Sequence, residues 1–183
     1  MESPPVFISG DEVKRLLRYA DLIPRLEAAL AVLSGPGDSG VVQPVRSIIP
    51  LRNHNGFMGL MPAYMEAEGI LCTKMVCFYK RGADSALPST QATVLLLDPE
   101  HGNVKAIIDG HVITDMRTAA TSAISAKYLM PAQAEVLAIL GTGRQALSHY
   151  NVFTEIFSFK EVGYSCVSQY PHYSKLWSRR YWV

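Results

Sequence analysis

The stretch VLAILGTGRQA, residues 136–146, decides the fold of this chain. An apolar run at 136–140 precedes the glycine turn 141–143, and apolar residues then recur at helical spacing over residues 145–157. A short continuous apolar run is typical of a buried parallel strand. In such a turn the first glycine permits the tight bend and the second lets a pyrophosphate approach the backbone beside a helix N-terminus. The stretch therefore predicts a strand, a turn and a helix that bind a dinucleotide, with a plain turn as the alternative.

The residue that recognises the ribose in such a site follows about 20 residues later, at the end of the second strand. Gly163, Tyr164 and Ser165 stand near that position. Ser165 could bond to a hydroxyl, but none of the three is the acid typical of NAD sites or an arginine suited to the phosphate of NADP. The sequence leaves the choice between NADPH and NADH open.

Upstream of the glycine turn, the apolar pattern predicts helices, then strands, then a further helix. We expect a first helix that Asp11 caps and that ends at Arg18, and a third helix, rich in small residues, that runs from Thr114 onward with Asp115 or Thr114 as its cap. A second helix is predicted over residues 23–33, strands over 41–51, 57–65, 70–79, 91–97 and 104–108, a hairpin turn at 53–56 and a polar turn at 98–103. The fold class is therefore α/β, with an α+β part followed by the start of a Rossmann-type domain.

Composition narrows the function classes. The 183 residues are 49% hydrophobic and 18% charged, with a net charge of +1, so no global field attracts nucleic acid or anionic lipid. No apolar run approaches the roughly 20 residues of a membrane span, and the N-terminus lacks the features of a signal peptide. The three cysteines form no CxxC pair, which favours a reducing compartment and argues against a zinc site. We expect a cytoplasmic protein with no metal.

Three basic side chains are candidates for binding an anion. Lys74 alternates with apolar residues on one face of a predicted strand, where a charge is costly unless an anion meets it or the side chain extends to water. Arg46 has a similar setting and a planar group suited to carboxylates, although a surface position is the simpler interpretation. Arg117 falls in the first turn of the predicted small-residue helix, where a cation opposes the helix dipole.

Six motifs occur in the order in which one family carries them. They are QPVR ending at Arg46, MPAY at 61–64, Thr73-Lys74, PSTQATVLL from Pro88, DGHVIT-x-x-RTAA ending at Ala120, and ILGTGRQA ending at Ala146. On these motifs the chain is identified as a member of the ornithine cyclodeaminase/mu-crystallin family, over residues 1 to about 162.

The resemblance implies an α+β substrate-binding and dimerisation domain at 1–130 and the first part of a Rossmann domain at 131–162. It also implies a cytosolic homodimer that reduces cyclic ketimines to cyclic amino acids with NADPH or NADH and that binds thyroid hormone, triiodothyronine. Two alternatives are a non-catalytic, NADP-regulated hormone-binding or lens structural protein, and a lyase similar to ornithine cyclodeaminase.

The resemblance also assigns roles to individual residues. Arg46 would hold the substrate carboxylate, Lys74 would be the catalytic residue beside the imine, as a proton donor or an electrostatic partner, and Phe78 would form an apolar wall. The residues that would contact the cofactor are Ser89, Thr90, Arg117, Gly141, Thr142, Gly143, Arg144 and Gln145. Two positions depart from the family pattern: Thr90 stands where a histidine is expected, and Arg144 where an apolar residue is expected, and the arginine could favour a phosphate.

The composition changes after Val162. Residues 163–183 hold both tryptophans, Trp177 and Trp182, and three basic residues but no acid. We expect a divergent, poorly ordered tail, as from an alternative or frameshifted terminus, and an incomplete Rossmann domain with impaired activity.

Overall fold

The computed structural model describes residues 4–36, 40–81, 85–165 and 181–182. The chain forms two compact units, Met1–Arg18 with Glu27–Thr114, and Tyr19–Leu26 with Asp115–Val183. Strands and helices mix along the chain, as predicted for the α/β class. The helices are α1 (Gly10–Leu16), α2 (Tyr19–Leu33), α3 (Gly110–Leu129) and α4 (Arg144–Ile156). The strands are β1 (Val6–Ile8), β2 (Val41–Val42), β3 (Ser47–Leu51), β4 (Gly56–Met65), β5 (Ile70–Tyr79), β6 (Thr90–Leu97), β7 (Val104–Asp109), β8 (Val136–Leu140), β9 (Glu161–Ser165) and β10 (Tyr181–Trp182).

The first unit contains a seven-stranded sheet in the order β1-β7-β6-β5-β4-β2, with β3 also paired to β4. The long strands β4 to β7 pair antiparallel, and the predicted strands at these positions are confirmed to within one residue. β1 was not predicted and pairs parallel to β7. The strand predicted over 41–51 is two strands, β2 and β3, because Pro44 lies between them and has no N–H to donate to a ladder.

The predicted hairpin between β3 and β4 is confirmed. Leu51 pairs with Gly56, and the short 3-10 turn Arg52–His54 joins the two strands. Asn55 closes the turn in the left-handed conformation with φ 49°, which asparagine tolerates better than most residues. A Cβ on Gly56 would lie 2.5 Å from the carbonyl oxygen of Phe78, so this position requires glycine.

The cap predicted for the first helix is wrong. Ser9, and not Asp11, is the N-cap of α1: its hydroxyl accepts a hydrogen bond from the Glu12 N–H at 3.4 Å, and the Glu12 carboxylate accepts one from the Ser9 N–H at 2.9 Å. This reciprocal pair satisfies two N–H groups at the start of the helix, which a single Asp11 cap could not do. The helix ends at Leu16, two residues before the predicted end.

The third helix begins earlier than predicted. β7 ends at Asp109 and α3 begins at Gly110, where the Asp109 carboxylate accepts a hydrogen bond from the His111 N–H at 2.9 Å. The predicted caps, Thr114 and Asp115, are therefore wrong. Arg117 is the eighth residue of α3, so the argument that it opposes the helix dipole in the first turn also fails.

The second unit has a core built on the small residues of α3. Ala119, Ala120 and Ala123 are fully buried, together with Val152 of α4 and nearly all of Tyr19 of α2. Small side chains allow backbones to approach closely, as the sequence indicated. The phenolic oxygen of Tyr19 donates a hydrogen bond to the carbonyl oxygen of Ser148 at 3.2 Å.

β8, α4 and β9 form a parallel βαβ unit, which confirms the predicted strand, glycine turn and helix. The prediction that β8 is a buried strand is wrong. Alternate residues of β8 point outward, and Val136 is 59% and Leu140 86% exposed. A continuous apolar run does not reveal what covers each face. No described helix combines the length and the hydropathy needed to cross a membrane.

The structural pattern does not end at Val162, where the sequence predicted the start of a poorly ordered tail. β9 continues to Ser165, which pairs with Leu140, and β10 pairs antiparallel to β9. The remaining tail residues, including Trp177, lie outside the described part of the chain.

Candidate active site

Lys74 lies in the middle of β5, half-buried, with Met61 of β4 on one side and Val94 of β6 on the other. Directly paired residues project from the same face of a sheet, so Lys74 lies in a row across the strands whose neighbouring members, Met61 and Val94, are apolar. Cys72 lies two residues away on the same face, and burial raises the pKa of its thiol above the ordinary value. That thiol is therefore neutral at physiological pH, and the charge on this part of the face comes from Lys74.

Arg46 lies directly before β3, close to the row that carries Lys74. The first residue of β3, Ser47, pairs with Leu60 of β4, and the next residue of β4, Met61, is the direct neighbour of Lys74. Two strand spacings correspond to about 10 Å, a distance that a small carboxylate bridges together with the two long side chains. Arg46 is exposed, which leaves its guanidinium accessible to a ligand. The fold thus brings the two predicted substrate-binding cations together.

Phe78 shares this face and stacks on Phe57, with ring centroids 5.5 Å apart. It pairs with Phe57 of β4 and with Thr90 of β6, and 40% of its surface is exposed. This aromatic pair, of which Phe78 is exposed and Phe57 half-buried, forms an apolar wall suited to a ring-containing ligand on the face that carries Lys74.

Ser89 and Thr90 mark the start of β6. Ser89 is exposed, and its carbonyl oxygen accepts a hydrogen bond from the Tyr79 N–H at 2.8 Å. The carbonyl oxygen of Thr90 lies 2.7 Å from Nε2 of His111. Because a carbonyl only accepts, Nε2 of His111 carries a proton in this arrangement. Nδ1 of the same ring lies 3.3 Å from Oδ2 of Asp109.

Sequence reasoning did not identify His111 and Asp109 as part of this region. The aspartate could have been found, since an acidic residue two positions before a helical N–H is a standard N-cap. The contact between His111 and Thr90 spans 21 residues and depends on the pairing of β6 with β7, so no local pattern indicates it.

The glycine turn in the second unit has the geometry that a pyrophosphate requires. Gly141 has φ 122°, a conformation that other residues rarely adopt, and Gly143 is the N-cap of α4 with no side-chain hydrogen bond to it. A Cβ built on Gly143 meets no atom within 4 Å, so open space borders the start of the helix. The N–H groups of the first turn and the helix dipole favour an anion in that space. These residues fit a dinucleotide.

The side chains of Arg144 and Gln145 bind a carboxylate of the protein. Oδ2 of Asp115 accepts hydrogen bonds from Nε and Nη2 of Arg144 at 3.0 and 2.5 Å, and Oδ1 accepts one from Nε2 of Gln145 at 3.1 Å. The sequence suggested Asp115 only as a cap of α3. Arg117, also on α3, is exposed.

A cavity of about 390 Å³ lies beside this turn, lined in part by Gln145, His149 and Phe153. His149 is a residue of α4 and contacts both α4 and α3. Its Nδ1 lies 2.7 Å from the carbonyl oxygen of Gln145 and its Nε2 lies 2.9 Å from Oγ of Ser122, so the ring joins α3 to α4.

A profile of the ornithine cyclodeaminase/mu-crystallin family matches residues 4–173. The chain belongs to this family. Ketimine reductase mu-crystallin of Rattus norvegicus is 55% identical over 163 residues, which are 88% of this chain and 52% of that protein. The chain therefore spans about half the length of the curated relatives that it matches.

Solved structures agree with this assignment. The Delta(1)-pyrroline-2-carboxylate reductase of Thermococcus litoralis, in complex with NADH and L-proline, superimposes with a TM-score of 0.86 at 30% identity, covering 93% of this chain and 51% of that one. An archaeal alanine dehydrogenase dimer with bound NAD gives a TM-score of 0.82 at 25% identity, covering 90% and 49%. The fold class inferred from the sequence is confirmed.

Proposed function

We propose that this chain carries the substrate-binding part and the first nucleotide-binding part of an NAD(P)H-dependent reductase of cyclic ketimines. The observation that carries the proposal is the position of Lys74 on an apolar row of the sheet, with Arg46 directly before the strand β3 that borders this part of β4. The relatives support it, since one is named a ketimine reductase and another reduces a cyclic imine carboxylate according to its name.

Each cation has a distinct task in this proposal. Arg46 binds the substrate carboxylate, for which its planar group is well suited. Lys74 donates a proton to the imine nitrogen, because a protonated imine has a more electrophilic carbon. General acid catalysis of this kind contributes about 10² to 10⁴ in rate. The apolar neighbours of Lys74 exclude water from the ammonium and strengthen its interaction with an anionic ligand.

The nicotinamide cofactor supplies the hydride when bound. Gly141, Thr142 and Gly143 would hold its pyrophosphate at the N-terminus of α4, where the space beside Gly143 is open. By family resemblance Ser89, Thr90 and Arg117 contribute further cofactor contacts, and either NADPH or NADH is the cofactor. The side chains of Arg144 and Gln145 are hydrogen-bonded to Asp115, and these bonds restrict their contact with the phosphates.

We further propose that the same face binds thyroid hormone, triiodothyronine. The stacked rings of Phe57 and Phe78 provide an aromatic wall, and Arg46 provides the partner for an amino acid carboxylate. Replacing Phe78 by Ala should weaken hormone binding about tenfold or more, since loss of an aromatic contact and its buried area exceeds about 1.4 kcal/mol.

A homodimer is the proposed assembly. The opposite face of the sheet is apolar and only half-buried or exposed in the single chain, with Ile49, Met58, Leu60, Met75 and Leu95 projecting from it. A second copy would cover this area. The division into a substrate and dimerisation domain at 1–130 and a nucleotide-binding part from 131, and a cytoplasmic location, remain predictions from the sequence.

Ligand binding tests the proposal directly. We would measure by calorimetry the affinity of a planar cyclic imine carboxylate and of its amide for the parent chain, for Arg46→Met and for Lys74→Met. Matched controls are Arg52→Met and Lys80→Met, which remove exposed cations near the same strands. We expect the two site variants to lose carboxylate affinity by about tenfold or more and the controls to keep it. Equal affinity for acid and amide in the parent would overturn the assignment.

A further inference from the structure

Asp115 links the first two residues of α4 to α3. Its two oxygens accept three hydrogen bonds, two from Arg144 and one from Gln145. The Asp115 side chain is 20% exposed and that of Arg144 is 53% exposed. A cation at the first position of a helix opposes the helix dipole, so Arg144 needs a structural explanation, and the carboxylate of Asp115 is its partner.

The position of this pair gives it an electrostatic consequence. Arg144 is the first residue of α4 and directly follows Gly143, whose surroundings are open to an anion. An arginine without a partner at this point would add a positive charge to the helix dipole. The carboxylate of Asp115 offsets that charge, because it is bonded directly to the guanidinium of Arg144.

We propose that Asp115 is a positioning residue that holds Arg144 and sets the affinity of the glycine turn for a dinucleotide. Bonded to the carboxylate of Asp115, Arg144 contributes little net charge to the phosphates. The inference rests on the dinucleotide binding proposed above. It also means that Arg144 does not select NADPH over NADH.

Substitutions of the two partners should have opposite effects. Asp115→Asn keeps the shape of the side chain but removes its charge, so Arg144 becomes available to the phosphates and affinity rises by about threefold to tenfold. Arg144→Met leaves the carboxylate without its cation, and repulsion of the phosphates lowers affinity by a similar factor. In the double variant both charges are absent, and the affinity returns to within about twofold of the parent.

A purely structural role predicts a different pattern. If the pair only braced the first turn of α4, both single variants would loosen that turn, and both would lower the affinity and the melting temperature together. The sign of the change in Asp115→Asn therefore separates the two roles.

The experiment is a fluorescence titration of NADH and of NADPH against the parent chain, both single variants and the double variant, with circular dichroism melting of each. Glu155→Gln is the matched control, because it removes one negative charge from the exposed far end of α4. It should leave the affinity unchanged. The differences among variants should shrink between about 0.05 and 0.5 M salt, where screening becomes strong.

Two outcomes overturn the inference. If the parent binds NADH or NADPH and Asp115→Asn binds the same cofactor more weakly, the role of Asp115 is overturned. The dinucleotide proposal then still stands. The absence of binding by the parent and by every variant overturns the dinucleotide proposal and the inference with it.

Discussion

Nε2 of His111 donates a hydrogen bond of 2.7 Å to the carbonyl oxygen of Thr90. The contact joins the first turn of α3 to the first residue of β6, and Asp109 holds the other side of the ring. The imidazole thus connects α3 directly to the backbone of β6. The hydrogen bond fixes the backbone beside Ser89 and Phe78, two of the predicted site residues.

Replacing His111 by Phe should destabilise the first unit. An aromatic ring is retained, but the half-buried carbonyl of Thr90 loses its donor, at a cost of about 1 to 3 kcal/mol in the free energy of unfolding. Urea unfolding followed by circular dichroism measures this change. His54→Phe, at an exposed position in the β3–β4 hairpin, is the matched control and should change the free energy by less than about 0.5 kcal/mol. Equal urea curves for parent and His111→Phe would mean that the contact adds nothing to stability.

Alanine at Gly110 and alanine at Gly143 should affect different properties of the protein. A Cβ on Gly110 would lie 2.8 to 3.0 Å from atoms of Ala92, including backbone atoms that cannot move aside, whereas a Cβ on Gly143 meets nothing within 4 Å. Gly110→Ala should therefore cost about 1 to 3 kcal/mol of stability. Gly143→Ala should keep the melting temperature and lose dinucleotide affinity, because the methyl group fills the space that the pyrophosphate needs.

Melting curves and NADH titrations of both glycine variants check this prediction. A stable Gly110→Ala protein would show that α3 can shift away from β6 without penalty. A Gly143→Ala protein with parental NADH affinity would place the phosphates elsewhere.

Strong local patterns predicted the long elements well. The alternating residues of β5 and the apolar run of β8 gave their exact bounds, because side-chain periodicity reflects the strand itself. β1 was missed because its three residues, which follow two prolines, are too few to show an alternating pattern. Their pairing partners on β7 are about 100 residues away in the sequence. The start of α3 was misplaced because Gly110 and the β-branched residues after it have low helix propensity, which the Asp109 cap and the packing on Ala92 override.

The candidate site was predictable to a similar extent. Lys74 stood out as a charge on an apolar face, and the glycine turn as a motif in its required context. The partner of Arg144 was not predictable, because Asp115 lies 29 residues away on another helix. A motif identifies which residues are near a ligand, but the charge that they present depends on tertiary contacts.

Lys105 should contribute to stability only while Asp98 is ionised. A hydrogen bond from Lys105 at 2.7 Å, with further bonds from the N–H groups of Glu100 and His101, holds the pKa of Asp98 well below its ordinary value. A pKa lowered by folding stabilises the protein above the ordinary value of about 4 and loses this effect as the pH falls toward the folded value. Lys105→Met should therefore melt below the parent at pH 7, and the difference should narrow steadily below about pH 4.

Melting temperatures of parent and Lys105→Met across this range provide the measurement for the Asp98 prediction. Lys14→Met removes an exposed lysine of α1 and should show no such pH-dependent difference. A gap between parent and Lys105→Met that stays constant down to the lowest pH would rule out Asp98 as the group responsible.

The buried alanines of α3 should tolerate no larger side chain. Ala120 has no exposed surface, and it packs with Ala119, Ala123 and Val152 in the core of the second unit. Ala120→Leu adds three carbons where close packing leaves no space, so we expect a loss of about 1 to 3 kcal/mol, or more if α3 and α4 cannot separate. Ala31→Leu makes the same change at an exposed position of α2 and should stay within about 0.5 kcal/mol. Urea unfolding measures both, and hydrogen exchange localises the loss to α3 and α4. Equal stability of the two variants would mean that the core around Ala120 leaves room for a larger side chain.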